Sequence, residues 1–66
     1  MTVAKTIEII STSTSGFDDA VTSGIAEASN TVNDIKSAWV KDQSVTVDNG
    51  AITEWKVNLK ITFVVG

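Results

Sequence analysis

The last stretch of the chain alternates without a break. Trp55, Val57, Leu59, Ile61, Phe63 and Val65 are apolar, and Glu54, Lys56, Asn58, Lys60 and Thr62 stand between them. Side chains on a strand point to opposite faces in turn, so this pattern is a strand with one dry and one wet face. Just upstream, Val45-Thr46-Val47-Asp48-Asn49-Gly50-Ala51-Ile52 sets an Asn-Gly pair between β-branched residues. Both central positions of a tight hairpin turn need positive φ, which Asn and Gly tolerate best, so a second strand precedes the turn. A sheet with one apolar face must be covered. Phe17, Ala20, Val21, Gly24, Ile25, Ala28 and Val32 recur at helical spacing, with Ser23, Glu27, Asn30 and Asn33 on the other side. They predict one amphipathic helix of about four to five turns.

The run Ser11-Thr12-Ser13-Thr14-Ser15-Gly16 reads as the turn leading into that helix. Ser15 and Asp18 have the spacing of a capping box, and Asp18 and Asp19 suit the positive end of the helix dipole. Before it, Val3, Lys5, Ile7 and Ile9 alternate with Ala4, Thr6, Glu8 and Ile10, which predicts a first, half-buried strand. The fold class is therefore α+β, in the order β-α-β-β, with a three-stranded antiparallel sheet packed on one helix. A straight register from the Asn49-Gly50 turn pairs Asp48 with Ala51, Ser44 with Trp55, Val40 with Leu59 and Ala38 with Ile61. Opposed residues share a face. The helix side then collects Ala38, Val40, Trp55, Val57, Leu59 and Ile61. The other side collects Ser37, Trp39, Lys41, Gln43, Lys56, Asn58, Lys60 and Thr62. Trp55 is expected in the core and Trp39 outside it, unless a bulge between Trp39 and Val45 flips the assignment.

Residues 1–66 suffice for one small domain, and a chain of this size buries too little surface to be robust alone. The usual remedies are disulfides, a metal or oligomerisation. With no Cys and no His, disulfides are excluded and a zinc site would rest on carboxylates alone, which leaves self-association. Five Lys, no Arg and a net charge of −3 suit no nucleic-acid partner. No apolar run approaches the ~20 residues of a membrane span. The opening Met-Thr-Val-Ala-Lys-Thr-Ile-Glu lacks a signal peptide's apolar core, so a cytoplasmic protein is expected. The absence of His, Cys, Arg and Tyr removes most general bases, nucleophilic dyads and phosphate clamps, and points away from an enzyme.

Trp39 stands out on an otherwise polar face. Such an aromatic stacks a planar ligand, anchors a subunit contact, or lies on the Lys60 stem across the strand pair. Lys56, Gln43 and Asn58 give the same face hydrogen-bond donors. Asp42 falls opposite Val57 on the core face, where it needs hydrogen-bond donors, an ion such as one shared between subunits, or an exposed strand end near a bulge.

The opening Lys5-Thr6-Ile7-Glu8-Ile9-Ile10-Ser11-Thr12-Ser13 resembles the first strand of the dodecins. The helix segment Ala26-Glu27-Ala28-Ser29-Asn30-Thr31-Val32-Asn33-Asp34-Ile35 is similar too, as is the closing Trp55-Lys56-Val57-Asn58-Leu59-Lys60-Ile61-Thr62-Phe63. The similarity covers essentially the whole chain. It implies a hollow shell of twelve identical subunits and a non-enzymatic binding, storage or buffering role. Many dodecins hold flavins (FMN, riboflavin or lumichrome) in stacked pairs between aromatic residues inside the shell. By this resemblance the flavin-stacking Trp position is held by Ser37, Trp39 takes a site where those members often carry Glu, and Lys56 replaces a Gln that contacts the flavin edge. The implied ligand site is Trp39, Ser37, Lys56 and Gln43. The alternative implied by members lacking that Trp is a structural or ion-binding assembly, holding calcium or magnesium, with no flavin.

Overall fold

The computed structural model describes residues 2–66. β1 (Ala4–Ser13), α1 (Phe17–Ala28), β2 (Ile35–Asp48) and β3 (Ala51–Val64) follow one another in the expected β-α-β-β order. All pairings are antiparallel and the sheet order is β1-β3-β2. The strongly alternating strand β3 is thus the central one. Its apolar side Val57, Leu59 and Ile61 is fully buried and forms the core with Ala20 and Ala28 of α1, ringed by Ile7, Ile9, Phe17, Val21, Ile25, Ile35 and Ala38. Gly24 allows the close approach. A Cβ there would stand 2.9 Å from the Ser11 Cβ and 3.3 Å from Leu59 Cδ1. The Asn49-Gly50 turn forms as expected, with φ of 53° and 79°.

Both ends of α1 differ from expectation. β1 runs through Ser13, so Ser11 to Ser13 are strand and not turn. The helix begins after Gly16 with no side-chain cap of its own. Buried Ser13 instead ties down the turn before it: its Oγ accepts from the amides of Ser15 at 2.9 Å and Gly16 at 3.3 Å and donates to Asp19 Oδ2 in the first turn at 2.6 Å. The helix then stops at Ala28, short of Val32. Ser29, Asn30, Thr31, Val32 and Asn33 are weak helix formers whose side chains compete for the backbone. Ser29 Oγ donates to the Ile25 carbonyl and Thr31 Oγ1 to that of Ala28. Asp34, at φ 63°, redirects the chain into β2.

The β2–β3 register is not straight. It starts with Asp48 opposite Ala51, slips by one where Thr53 has no partner, and returns where Lys41 has none; Lys36 is skipped as well. Thr53 Oγ1 donates to the Thr46 carbonyl at the first slip. Val40–Leu59 and Ala38–Ile61 pair as expected, but Ser44 pairs with Lys56 instead of Trp55. Three predicted orientations therefore change: Ser44 moves to the far side with Lys56, and Gln43 and Asp42 trade faces. Gln43 lies opposite Val57 on the helix side, and Asp42 lies opposite Asn58 on the far side. Trp55 keeps the helix side but is only half-buried and stands outside the buried cluster.

Candidate functional site

The sheet face turned away from α1 carries the sequence-predicted residues in successive cross-strand rows. Thr6, Thr62 and Ser37 form one; Glu8, Lys60 and Trp39 the next; Ile10, Asn58 and Asp42 the third; Thr12, Lys56 and Ser44 the fourth. Trp39 is 61% exposed, so its ring is available to a partner molecule. Lys60 Nζ sits 6.0 Å from the ring centroid, at the outer range of a cation–π contact. Lys41, pushed out at the bulge, donates to Glu8 Oε1 at 3.0 Å across the sheet. The indole thus stands in a row with an acid and two lysines that are partly committed to each other.

Ser37 lies one row from Trp39 on the same strand and face. Lys56 shares the face but is four residues along β3 from Lys60, about 13 Å at ~3.3 Å per residue. Gln43 is on the opposite face and does not join them. The Glu8–Lys41 bridge escaped the sequence reading, since only the bulge makes Lys41 reach β1. Between Trp39 and Lys56 a cavity of about 210 Å³ is lined by Ile10, Asp42, Ser44, Lys56 and Asn58. Asn58 Oδ1 is buried there without a hydrogen-bond partner.

Elsewhere the chemistry is thin. A more open groove of about 510 Å³ between β1 and α1 offers a single carboxylate, Glu27, and no aromatic ring. Ser13 is hydrogen-bonded to a carboxylate, but its 7% exposure and two amide donors make it a helix anchor and not a nucleophile. Among the described residues no three His, Cys, Asp or Glu side chains converge as a metal site would require, and no helix is long and apolar enough to cross a membrane.

The β-α-β-β order, the central apolar β3 and the small helix cover recur in known proteins. The Dodecin family model matches residues 3–66. This chain belongs to the dodecin family. The calcium dodecin of Mycobacterium tuberculosis is 32% identical over 63 residues, covering 96% of this chain and 89% of that protein. Its crystal structure, described as a calcium-chelating antigen with a novel calcium-binding site, superposes with a TM-score of 0.81 at 34% identity, over 92% of this chain and 87% of that one. A dodecin from Streptomyces davaonensis gives 0.93 at 28% identity, covering 98% and 96% of the two chains. A mutant Thermus thermophilus dodecin gives 0.94 at 26%, covering 100% and 98%. On the far face of this chain Ser37 presents a hydroxyl, and the indole stands one row away at Trp39, about 6–7 Å along the strand.

Proposed function

We propose that this dodecin is a non-enzymatic binding protein, a single domain over residues 1–66 that acts in the cytoplasm as a closed shell of its own copies, twelve in number, and stores or buffers a planar, flavin-type ligand stacked on Trp39. The observation that carries the reading is the exposure of Trp39 on a polar face. Stacking an extended ring on an indole adds about 0.5–1.5 kcal/mol beyond area burial, and a symmetric assembly lets two copies contribute one Trp each. Ser37 leaves room beside the ring, and Lys56 offers a charged donor that suits ring carbonyls or a phosphate tail. Gln43 reaches such a ligand only from another copy, since its own sheet separates it from Trp39.

Riboflavin, FMN and lumichrome titrated against tryptophan fluorescence test this. Quenching that is lost in Trp39→Ala is expected; unchanged fluorescence, or binding that survives the substitution, overturns the site. Freshly purified protein that retains flavin is yellow.

A second reading, an assembly holding calcium or magnesium without flavin, is favoured by the similarity to the calcium dodecin of Mycobacterium tuberculosis in sequence and in structure. Calcium takes six to eight oxygens. No three carboxylates of one chain converge among the described residues, so such a site would be completed by another copy. Calorimetric titration with calcium and with magnesium separates this reading from the first.

A further inference from the structure

The tip of the β2–β3 arm carries a reactive pair found nowhere else in the chain. Asn49 is followed by Gly50, whereas Asn30, Asn33 and Asn58 are followed by Thr31, Asp34 and Leu59. The side-chain amide carbon of an asparagine can close a five-membered ring with the backbone nitrogen of the next residue. Only a glycine leaves that nitrogen without a Cβ beside it. The turn holds neither group back. Asn49 and Gly50 are exposed, and a Cβ built on Gly50 would find no atom within 4 Å. Among the described residues no side-chain hydrogen bond reaches Asn49. The hydrogen bonds of a two-residue turn join the flanking residues, here Asp48 and Ala51. The Gly50 amide bonds to no backbone carbonyl. Asn58 is the contrast, with its Oδ1 buried and Leu59 held in the central strand.

We propose that Asn49 is a site of spontaneous covalent modification, where the Gly50 nitrogen attacks the Asn49 side chain and the turn converts to aspartate and isoaspartate. Hydroxide takes the Gly50 amide proton and the nitrogen bonds to Asn49 Cγ. The Cγ–Nδ2 bond breaks, and the departing nitrogen takes a proton from water and leaves as ammonia. Water then opens the cyclic imide. Attack at Cγ restores the ordinary backbone with an aspartate side chain. Attack at the Asn49 carbonyl carbon leaves the backbone running through Cγ, one methylene longer, with a free α-carboxylate. Either product adds a negative charge to a chain already at −3, next to Asp48. Aspartate keeps the turn, since it tolerates positive φ. Isoaspartate does not, because the two-residue loop is what sets the register of the hairpin. Only the rows Asp48–Ala51 and Val47–Ile52 lie between the turn and the unpaired Thr53, whose hydroxyl ties the next part of the arm to the Thr46 carbonyl. The loosened part is therefore the tip, and it includes Val47 and Ile52, 57% and 47% exposed.

Ageing the purified native protein in warm, mildly alkaline, heavy-oxygen water tests this. An acidic form is expected to grow in on anion exchange, faster as hydroxide rises, with the label mapped to residue 49 in both aspartate and isoaspartate peptides. N49G suits the turn but has no amide to lose, and should give no such form. The separated isoaspartate form should be cut at Val47 and Ile52 by a protease specific for aliphatic residues. Fresh N49D, with the same charge on an ordinary backbone, should resist as the native chain does. A folded chain that stays unmodified while its urea-unfolded form converts overturns the proposal, because the turn then shields Asn49. Conversion of Asn30, Asn33 or Asn58 ahead of Asn49 overturns it too. An isoaspartate form as resistant as N49D overturns the loosening of the tip. None of these outcomes depends on which ligand the protein holds or on how many copies assemble.

Discussion

At the scale of single residues the two tryptophans separate by burial. Trp39 is 61% exposed and Leu59 fully buried at the centre of the core. Trp39→Ala should change folding stability by no more than about 1 kcal/mol, whereas Leu59→Ala should cost about 2–5 kcal/mol. Half-buried Trp55 should fall between them. Urea unfolding of the three variants checks the order, and a Trp39→Ala loss as large as that of Leu59→Ala would place the indole in the core after all. The side of the sheet that Trp39 occupies was legible because Ala38–Ile61 and Val40–Leu59 pair in the straight register. Gln43 and Asp42 were not. Lys41, Asp42, Gln43 and Ser44 are all polar, so burial imposes no face on them, and one unpaired residue exchanges their orientation.

At the scale of elements, β3 was readable in full because it is both strictly alternating and central. The ends of α1 were harder to read: a run of Ser and Thr from residue 11 to 15 fits a strand end or a turn equally well. Pairing with β3 out to Ser13–Trp55, together with the Ser13–Asp19 contact, decides it. The Asn49-Gly50 turn is the opposite case, a local signal strong enough to stand alone. Gly50 sits at φ 79° with open space around it, so a methyl group meets no atom there but forces an L-residue into a left-handed conformation. Gly50→Ala should therefore destabilise the fold by about 1–2 kcal/mol through the backbone alone. Gly50→Asn should cost less, because Asn visits that region more readily. Equal stability of Gly50→Ala and the native chain in thermal or chemical unfolding would show that the turn is not held in this form.

At the scale of the whole molecule the shape argues for company. A compact chain of 66 residues should have a radius of gyration near 11 Å, and the observed value is 13.6 Å with extents of 52 × 19 × 14 Å. Its accessible surface, 4490 Å², also exceeds the roughly 4000 Å² expected of a compact monomer of 7.0 kDa. The excess lies in the β2–β3 arm, which extends past α1. Because the helix packs mainly on β1 and β3, Val45, Val47 and Ile52 are left 39–57% exposed along the helix side of that arm, and Val40 is 39% exposed beside Leu59. Such a strip is unusual on a monomer this small and is what one subunit of an assembly presents to the next. Val47 tests this cleanly. At 57% exposure it contributes little to its own chain's core, so Val47→Lys should leave the circular dichroism of the sheet intact. If a neighbouring copy covers the arm, the same substitution puts an ammonium into an apolar contact and should lower the mass seen by light scattering. An unchanged mass would mean that the arm stays in solvent and that assembly depends on other surfaces.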